Sequence, residues 1–215
     1  EIDDHHAIDT MRYTDEEIRR VAKVAFEMAE KRKQHVTLVD KANVLATSNL
    51  WRRIVEDVAA DYPTITYDTS YVDAAAMKII SAPEQFDVIL TENMFGDILS
   101  DESAEITGSL GTIPSMSRGT TGPALYEPIH GSAPDIAGKG IANPLSMINS
   151  VALMLRHSFD RPDLADDIAD SVDAVIESGN VTPDLGGGST TDQVTSAIIN
   201  KIRERRNAYV ENDVR

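Results

Sequence analysis

Strand-like and helix-like segments alternate through the first half of the 215-residue chain. The apolar pattern predicts strands at 35–40, 64–68 and 86–91, and helices at 14–33, 48–62, 71–80 and 95–106. Strands separated by helices pair in parallel, because the helix supplies the long return path that parallel neighbours need. We therefore predict an α/β fold with a parallel sheet for this half.

The carboxyl ends of these strands are the expected binding edge, since open parallel sheets bind ligands there. Lys41 follows the first strand and Asp97 follows the third. Desolvation at the end of a buried strand would favour the neutral amine of Lys41 and suit it to proton transfer, with a solvated lysine as the alternative. Asp97 and Asp101 lie four residues apart on one predicted helix face. Two carboxylates at that spacing repel each other, so they are either solvated or share a cation.

The second half has a different character. Glycine, proline and serine interrupt residues 108–144, and an unstructured loop of that length inside a compact domain is usually functional. Helices are predicted at 145–158, 161–178 and 189–207. Asp73 falls in the first turn of its helix, where capping the helix dipole is a fair rival to a binding role.

Composition excludes several functions. The net charge of −16 argues against sequence-independent binding to nucleic acid or to an anionic membrane surface, because both need excess Lys and Arg. Cysteine is absent, so a divalent cation would have oxygen or imidazole ligands, and oxygen favours Mg²⁺ or Mn²⁺. No apolar run is long enough to span a membrane and no export signal opens the chain, so a cytoplasmic location is expected. The chain begins with Glu, which suggests a piece of a longer protein.

Glycine motifs give no nucleotide fingerprint. The pattern GxGxxG is absent, and "AGKG" at 137–140 lacks the spacing and the Ser or Thr of a P-loop. The glycines of "PDLGGGSTTD" predict a turn before a helix capped by Ser189 or Thr190. His5 and His6, beside Asp3 and Asp4, could bind a metal, but a frayed terminus is the preferred interpretation.

Five longer motifs carry a resemblance. "VDKANVL", "YVDAAAM", "TENMFGDILSDE", "TGSLG" and "YEPIHGSAPDIAGKGIANP" occur in this order. In sequence and spacing they resemble the β-decarboxylating dehydrogenase family, which includes the isocitrate and isopropylmalate dehydrogenases. The resemblance implies a two-lobed α/β fold that is not a GxGxxG Rossmann fold. Residues 1–107 would form a lobe with the metal site and dimer interface, and 108–215 part of a second lobe with the adenosine-binding loop.

The resemblance also implies an active site shared between two subunits of a homodimer. Asp97 and Asp101 would bind one Mg²⁺ or Mn²⁺ that also holds a 2-hydroxy acid substrate, with Asp73 of the other subunit as third ligand. Lys41, also from the other subunit, would belong to the proton-transfer machinery. Asn43 would lie near the substrate and the nicotinamide.

The cofactor implied is NAD. Asp135 would accept a hydrogen bond from the ribose 2′-hydroxyl and repel the 2′-phosphate of NADP. The other residues that match the family's adenosine-binding segment are His130, Gly131, Ser132, Ala133, Ile136 and Asn143.

The family's N-terminal segment, with an arginine clamp and a tyrosine acid, is missing here. Within the family, oxidative decarboxylation of 3-isopropylmalate in leucine biosynthesis is the leading expectation. Isocitrate, homoisocitrate and tartrate are alternative substrates, because the element that recognises the distal group belongs to the missing segment. A catalytically incomplete nucleotide-binding or dimerisation module is the alternative from another class.

Overall fold

A computed structural model describes residues 5–213, with side chains through residue 207. Asp3 and Asp4, which the sequence analysis set beside His5 and His6, lie outside that range. The chain divides into two compact units, Glu1–Ser103 and Ala104–Arg215. No helix within the described range is long and apolar enough to cross a membrane.

The first unit is built on a three-stranded parallel sheet. Its strands are β1 (His35–Asp40), β2 (Thr66–Tyr71) and β3 (Val88–Thr91), in the order β2-β1-β3. Its helices are α1 (Asp15–Ala29), α2 (Ala46–Ala59), α3 (Val72–Ser81) and the first part of α4 (Asn93–Thr107). The predicted α/β class and parallel sheet are confirmed, although β2 begins and ends later than the sequence pattern indicated.

The central strand β1 is buried on both faces. Leu38 packs with α1 and α2, in a cluster that includes Phe26 and Val55. The next residue, Val39, points to the opposite face and packs with Ala75 of α3 and Leu99 of α4. Two buried faces explain why β1 reads as a nearly continuous apolar run instead of an alternating one.

Helix α1 begins where the sequence predicts a capping box. The Thr14 backbone N–H donates to the Glu17 carboxylate at 2.7 Å, and the Glu17 N–H donates to Thr14 Oγ1 at 3.3 Å. Ile18, Ala22 and Phe26 then face the core at helical spacing and are fully buried. The local cap and the apolar face therefore specify the same helix.

The second unit contains three helices and a small sheet. The helices are α5 (Leu145–His157), α6 (Pro162–Glu177) and α7 (Thr191–Asp213), and the strands are β4 (Pro114–Ser117) and β5 (Leu125–Pro128). Leu145, Val172, Val194 and Ile198 join the three helices in one core cluster. The antiparallel β4–β5 pair lies in the interval that we expected to be irregular, and its four-residue strands are too short to show an alternating pattern.

Candidate active site

The three parallel strands end together, as the sequence analysis predicted. Asp40 pairs with Tyr71 and Val39 pairs with Thr91 in the strand register, so the residues that follow each strand start from one edge of the sheet. Lys41 comes directly after β1. This edge carries the first of the predicted site residues.

Lys41 and Asp73 are in direct contact at this edge. Lys41 Nζ donates to Asp73 Oδ1 at 2.6 Å. The hydrogen bond from Lys41 lowers the pKa of Asp73, and backbone N–H groups in the first turn of α3 act in the same direction. Asp73 therefore lies in the first turn of α3 and contacts Lys41, and its role in a site stays a prediction. The side chain of Lys41 is 27% exposed, so its ammonium is neither fully desolvated nor fully solvated.

A tight turn follows Lys41 and carries Asn43. The backbone N–H groups of Val44 and Leu45 both donate to the Lys41 carbonyl at 2.9 Å, and Ser48 Oγ accepts from the Lys41 N–H at 3.1 Å. Asn43 is exposed on this turn. The turn thus fixes the backbone on both sides of the Lys41 side chain and leaves the Asn43 amide accessible to a ligand.

Asp97 and Asp101 lie on the exposed face of α4. Leu99, between them in sequence, is 3% exposed and faces the core. Among the described side chains, those of residues 5–207, no group of three or more His, Asp or Glu lies close enough to hold a metal ion. Asp73 therefore does not complete a three-carboxylate site with Asp97 and Asp101 inside one chain.

The start of α4 is set by a residue that the sequence analysis did not select. Glu92 is 6% exposed, and its carboxylate accepts the N–H groups of Met94 and Phe95, both at 2.9 Å. Tyr13 donates its hydroxyl to Glu92 at 3.1 Å, and burial raises the pKa of Tyr13. Capping by Glu92 fixes where α4 begins and which of its residues face outward. The sequence feature that could have identified Glu92 is its position, since it is a charged residue directly after an apolar strand.

The predicted adenosine-binding loop is exposed over most of its length. His130, Gly131, Ser132, Ala133 and Asp135 are exposed, and Ile136 is half-buried. Ala133 has a left-handed backbone, with φ 43° and ψ 61°, and a single 3-10 turn follows at Pro134–Ile136. A left-handed non-glycine residue is uncommon and marks a specified loop conformation.

Asn143, at the end of this loop, is held by its own chain. Its Oδ1 accepts the Leu145 N–H at 3.0 Å at the start of α5, and its Nδ2 donates to Asp184 at 2.9 Å. Ser109 also donates to Asp184, at 2.5 Å. Burial raises the pKa of Asp184, but all the hydrogen bonds that its carboxylate accepts, these two among them, together outweigh burial and bring the pKa below its usual value. Asn143 keeps one amide proton and one lone pair for a ligand, and Asp184 fixes which way they point.

The triple glycine is a turn, as predicted. Gly186 has a left-handed φ of 79° directly after the 3-10 turn Pro183–Leu185. Of the two predicted capping residues, Thr190 caps α7, because its Oγ1 accepts the Gln193 N–H at 3.2 Å.

The fold and these motifs are those of one family: the chain belongs to the isocitrate/isopropylmalate dehydrogenase family, whose model matches residues 1–202. It is 54% identical to the 3-isopropylmalate dehydrogenase of Listeria monocytogenes over 200 residues, 93% of this chain and 57% of the relative. It is 51% identical to the enzyme of that name from Streptococcus thermophilus, over 94% of this chain and 58% of the relative. The chain thus spans a little more than half the length of these relatives. The resemblance seen in the motifs is confirmed.

Solved structures of related proteins match the fold of this chain. Isocitrate dehydrogenase from Methylococcus capsulatus matches with a TM-score of 0.86 and 44% identity, over 90% of this chain and 58% of that one. A β-decarboxylating dehydrogenase from Thermococcus kodakarensis, in its apo form, matches with a TM-score of 0.83 and 40% identity, over 95% of this chain and 60% of that one.

Proposed function

We propose that this chain is the larger part of a cytoplasmic, NAD-dependent 3-isopropylmalate dehydrogenase of leucine biosynthesis. The names and identity of the bacterial relatives support the substrate. The observation that carries the proposal is the contact between Lys41 and Asp73 at the carboxyl edge of a parallel sheet. In the overall reaction, C2 of the 2-hydroxy acid is oxidised, a hydride passes to NAD⁺, and the β-carboxylate leaves as CO₂.

The side chains present fit the groups that this reaction needs. Asp97 and Asp101 offer hard oxygen ligands on one exposed helix face, which suits Mg²⁺ or Mn²⁺. A bound divalent cation would supply Lewis acidity toward the C2 oxygen of the substrate. Lys41, held through Nζ by Asp73, would take up and return the proton of the C2 hydroxyl. Asn43 would orient the substrate next to the nicotinamide.

A shared site in a homodimer accounts for the distribution of the carboxylates. Asp73 stands on α3 and Asp97 and Asp101 on α4, and no such trio meets within the described part of one chain. We propose that Lys41 and Asp73 of one subunit face Asp97 and Asp101 of the other.

An exposed apolar surface supports this dimer. Helices α3 and α4 pack over the same face of the sheet through Ala75, Ile79 and Leu99. On these two helices large side chains are exposed: Met77 (74%), Ile80 (66%), Met94 (50%) and Ile98 (58%). Large apolar side chains exposed on neighbouring helices are a feature of protein interfaces.

NAD is the proposed cofactor, and the loop His130–Asn143 would bind its adenosine. The exposed Asp135 carboxylate can accept a hydrogen bond from the ribose 2′-hydroxyl, and it would repel a 2′-phosphate. The anchored Asn143 amide would present its remaining proton and lone pair to the adenine.

Turnover tests the proposal in a completed enzyme, meaning this chain preceded by the N-terminal segment of the Listeria monocytogenes relative. NADH formation should require Mg²⁺ or Mn²⁺ and be fastest with 3-isopropylmalate. Faster turnover of isocitrate, homoisocitrate or tartrate would show that the substrate is wrong. No turnover with any of them would favour a binding or dimerisation module.

Subunit mixing tests the shared site. Lys41→Ala and Asp97→Ala enzymes should each be inactive, because every site in either homodimer lacks one group. In a mixed dimer one site carries both changes and the other carries neither. Activity should therefore return to roughly half the wild-type value per mixed dimer if the sites act independently. Mixtures that stay inactive despite proven subunit exchange would place all catalytic groups in one subunit.

A further inference from the structure

A buried charge sits directly before Lys41. Asp40, the last residue of β1, is 2% exposed. Arg52 of α2 donates two hydrogen bonds to the Asp40 carboxylate, from Nε to Oδ2 at 2.6 Å and from Nη2 to Oδ1 at 3.0 Å. The Ala42 N–H donates to Oδ1 at 2.9 Å. A bidentate Arg–carboxylate pair has a fixed geometry, so the guanidinium is held rigidly against the end of β1.

The Tyr71 ring lies close to both the Arg52 guanidinium and the Lys41 ammonium. Tyr71 is the strand partner of Asp40, at the end of β2. The Arg52 guanidinium carbon is 5.1 Å from the ring centroid, and Lys41 Nζ is 6.0 Å from it. Cations at these distances are attracted to the face of an aromatic ring. Tyr71 therefore joins the rigid Asp40–Arg52 pair to the Lys41 side chain.

Lysine has a long, flexible side chain that a single contact does not fix. Asp73 holds Nζ by one hydrogen bond, and Tyr71 precedes Asp73 by two residues on the same element boundary. Lys41 Nζ thus has two neighbours on this element boundary, the Asp73 carboxylate and the Tyr71 ring.

We propose that Tyr71, held in place by the Asp40–Arg52 pair, is a positioning residue that restricts Lys41 Nζ to one location for proton transfer. The inference rests on the proposed function, since it assigns Tyr71 a role through Lys41 in that reaction. The aromatic face performs this role, and the hydroxyl does not. A ring without a hydroxyl should therefore serve, and an aliphatic side chain should not.

Two substitutions separate the ring from its hydroxyl. In the completed enzyme, Tyr71→Phe should keep kcat within about twofold of wild type. Tyr71→Leu should lower kcat roughly 10–100-fold, the scale expected when a reacting group is misplaced by about 1 Å. KM for substrate and NAD⁺ should change little in both variants, because the proposed role of the ring is to position Lys41 and not to bind a ligand. Tyr71 is 40% exposed, so Leu is sterically acceptable there.

A structural role would give a different pattern. If Tyr71 only supports the strand end, Tyr71→Leu lowers the midpoint of urea unfolding and leaves kcat per folded molecule unchanged. That result would overturn the proposal. Equal losses of kcat in Tyr71→Phe and Tyr71→Leu would also overturn it, because they would assign the role to the hydroxyl.

A second measurement does not depend on activity. NMR relaxation of ¹³C-labelled lysine side chains in the 215-residue chain should show the Lys41 ε-carbon more restricted than that of Lys139, which is exposed. Tyr71→Leu should release it, and Tyr71→Phe should not. If this pattern appears and the completed enzyme is inactive with every substrate, the positioning stands and the proposed function fails. A Lys41 side chain as mobile in wild type as in Tyr71→Leu would refute the positioning.

Discussion

A single added methyl group at Gly111 tests how tightly Asn143, at the end of the loop His130–Asn143, is held. A Cβ at Gly111 would lie 2.6 Å from Asn143 Cβ, 3.0 Å from its Cγ and 3.1 Å from its Nδ2. Carbon atoms in contact prefer about 3.5–4.0 Å. In Gly111→Ala, the Asn143 side chain must therefore move by about 1 Å, away from the positions in which it bonds Leu145 and Asp184.

The expected loss in the free energy of unfolding follows from these contacts. Overpacking a close contact costs about 1–3 kcal/mol. If Asn143 moves to relieve it, two hydrogen bonds are lost or lengthened, at about 1 kcal/mol each. Alanine also makes the unfolded chain less flexible than glycine does. This effect stabilises the folded state by about 0.4–1 kcal/mol and so opposes the destabilisation. Gly111→Ala should thus be destabilised by about 1–2 kcal/mol.

Urea unfolding followed by circular dichroism measures this difference. With a slope of about 1–3 kcal/mol per molar urea, the midpoint should fall by roughly 0.3–2 M. Gly188→Ala is the matched control, because an added Cβ there meets nothing within 4 Å and its φ lies outside the left-handed region. It should be as stable as wild type or slightly more stable. If Gly111→Ala unfolds at the same urea concentration as Gly188→Ala, Asn143 is not held as described.

Three further predictions address the metal, the cofactor and pH. Asp97→Asn should weaken Mn²⁺ binding in calorimetric titration while the exposed Asp173→Asn, an equal charge change on α6, should not. In the completed enzyme, Asp135→Lys should move the kcat/KM ratio toward NADP⁺ by more than tenfold, about 1.4 kcal/mol; an unchanged ratio would mean that Asp135 does not contact the ribose. Burial raises the pKa of Asp87, but the 2.8 Å hydrogen bond from Arg32, the backbone N–H groups of His35 and Lys33 and the Arg32 charge together outweigh it and lower the pKa. The stability that Asp87 adds over Asp87→Asn should be constant above the unfolded pKa of about 3.9 and disappear as pH falls through the lower folded pKa, measured by urea unfolding at each pH.

Sequence pattern predicts elements best where local and tertiary preferences agree. Strand β1 has the bounds that its apolar run indicates, because both of its faces are buried. The Thr14 capping box marks the start of α1, because the cap is formed by residues three apart in sequence. The binding edge was predictable for a similar reason, since parallel strands connected by helices must end together.

Contacts between distant residues were beyond pattern reasoning. Asn143 was selected as a cofactor ligand, but its bond to Asp184 joins positions 41 residues apart. The Asp40–Arg52 pair has a visible signal, an acidic residue that closes an apolar strand, yet the sequence does not say which cation meets it. The β4–β5 pair was missed because each strand is only four residues long.

The central position of β1 also orders the assembly of the site during folding. Both neighbours of β1 come later in the chain, and its pairing with β3 closes a longer loop than its pairing with β2. The longer closure costs only about 0.5 kcal/mol more in chain entropy, but β3 also leaves the ribosome later. The β1–β2 pair should therefore form first, and it brings Lys41 beside Asp73. Asp97 and Asp101 of the same chain reach this edge of the sheet only when β3 adds to the other side of β1, so the Lys41–Asp73 contact should form before α4 takes its place.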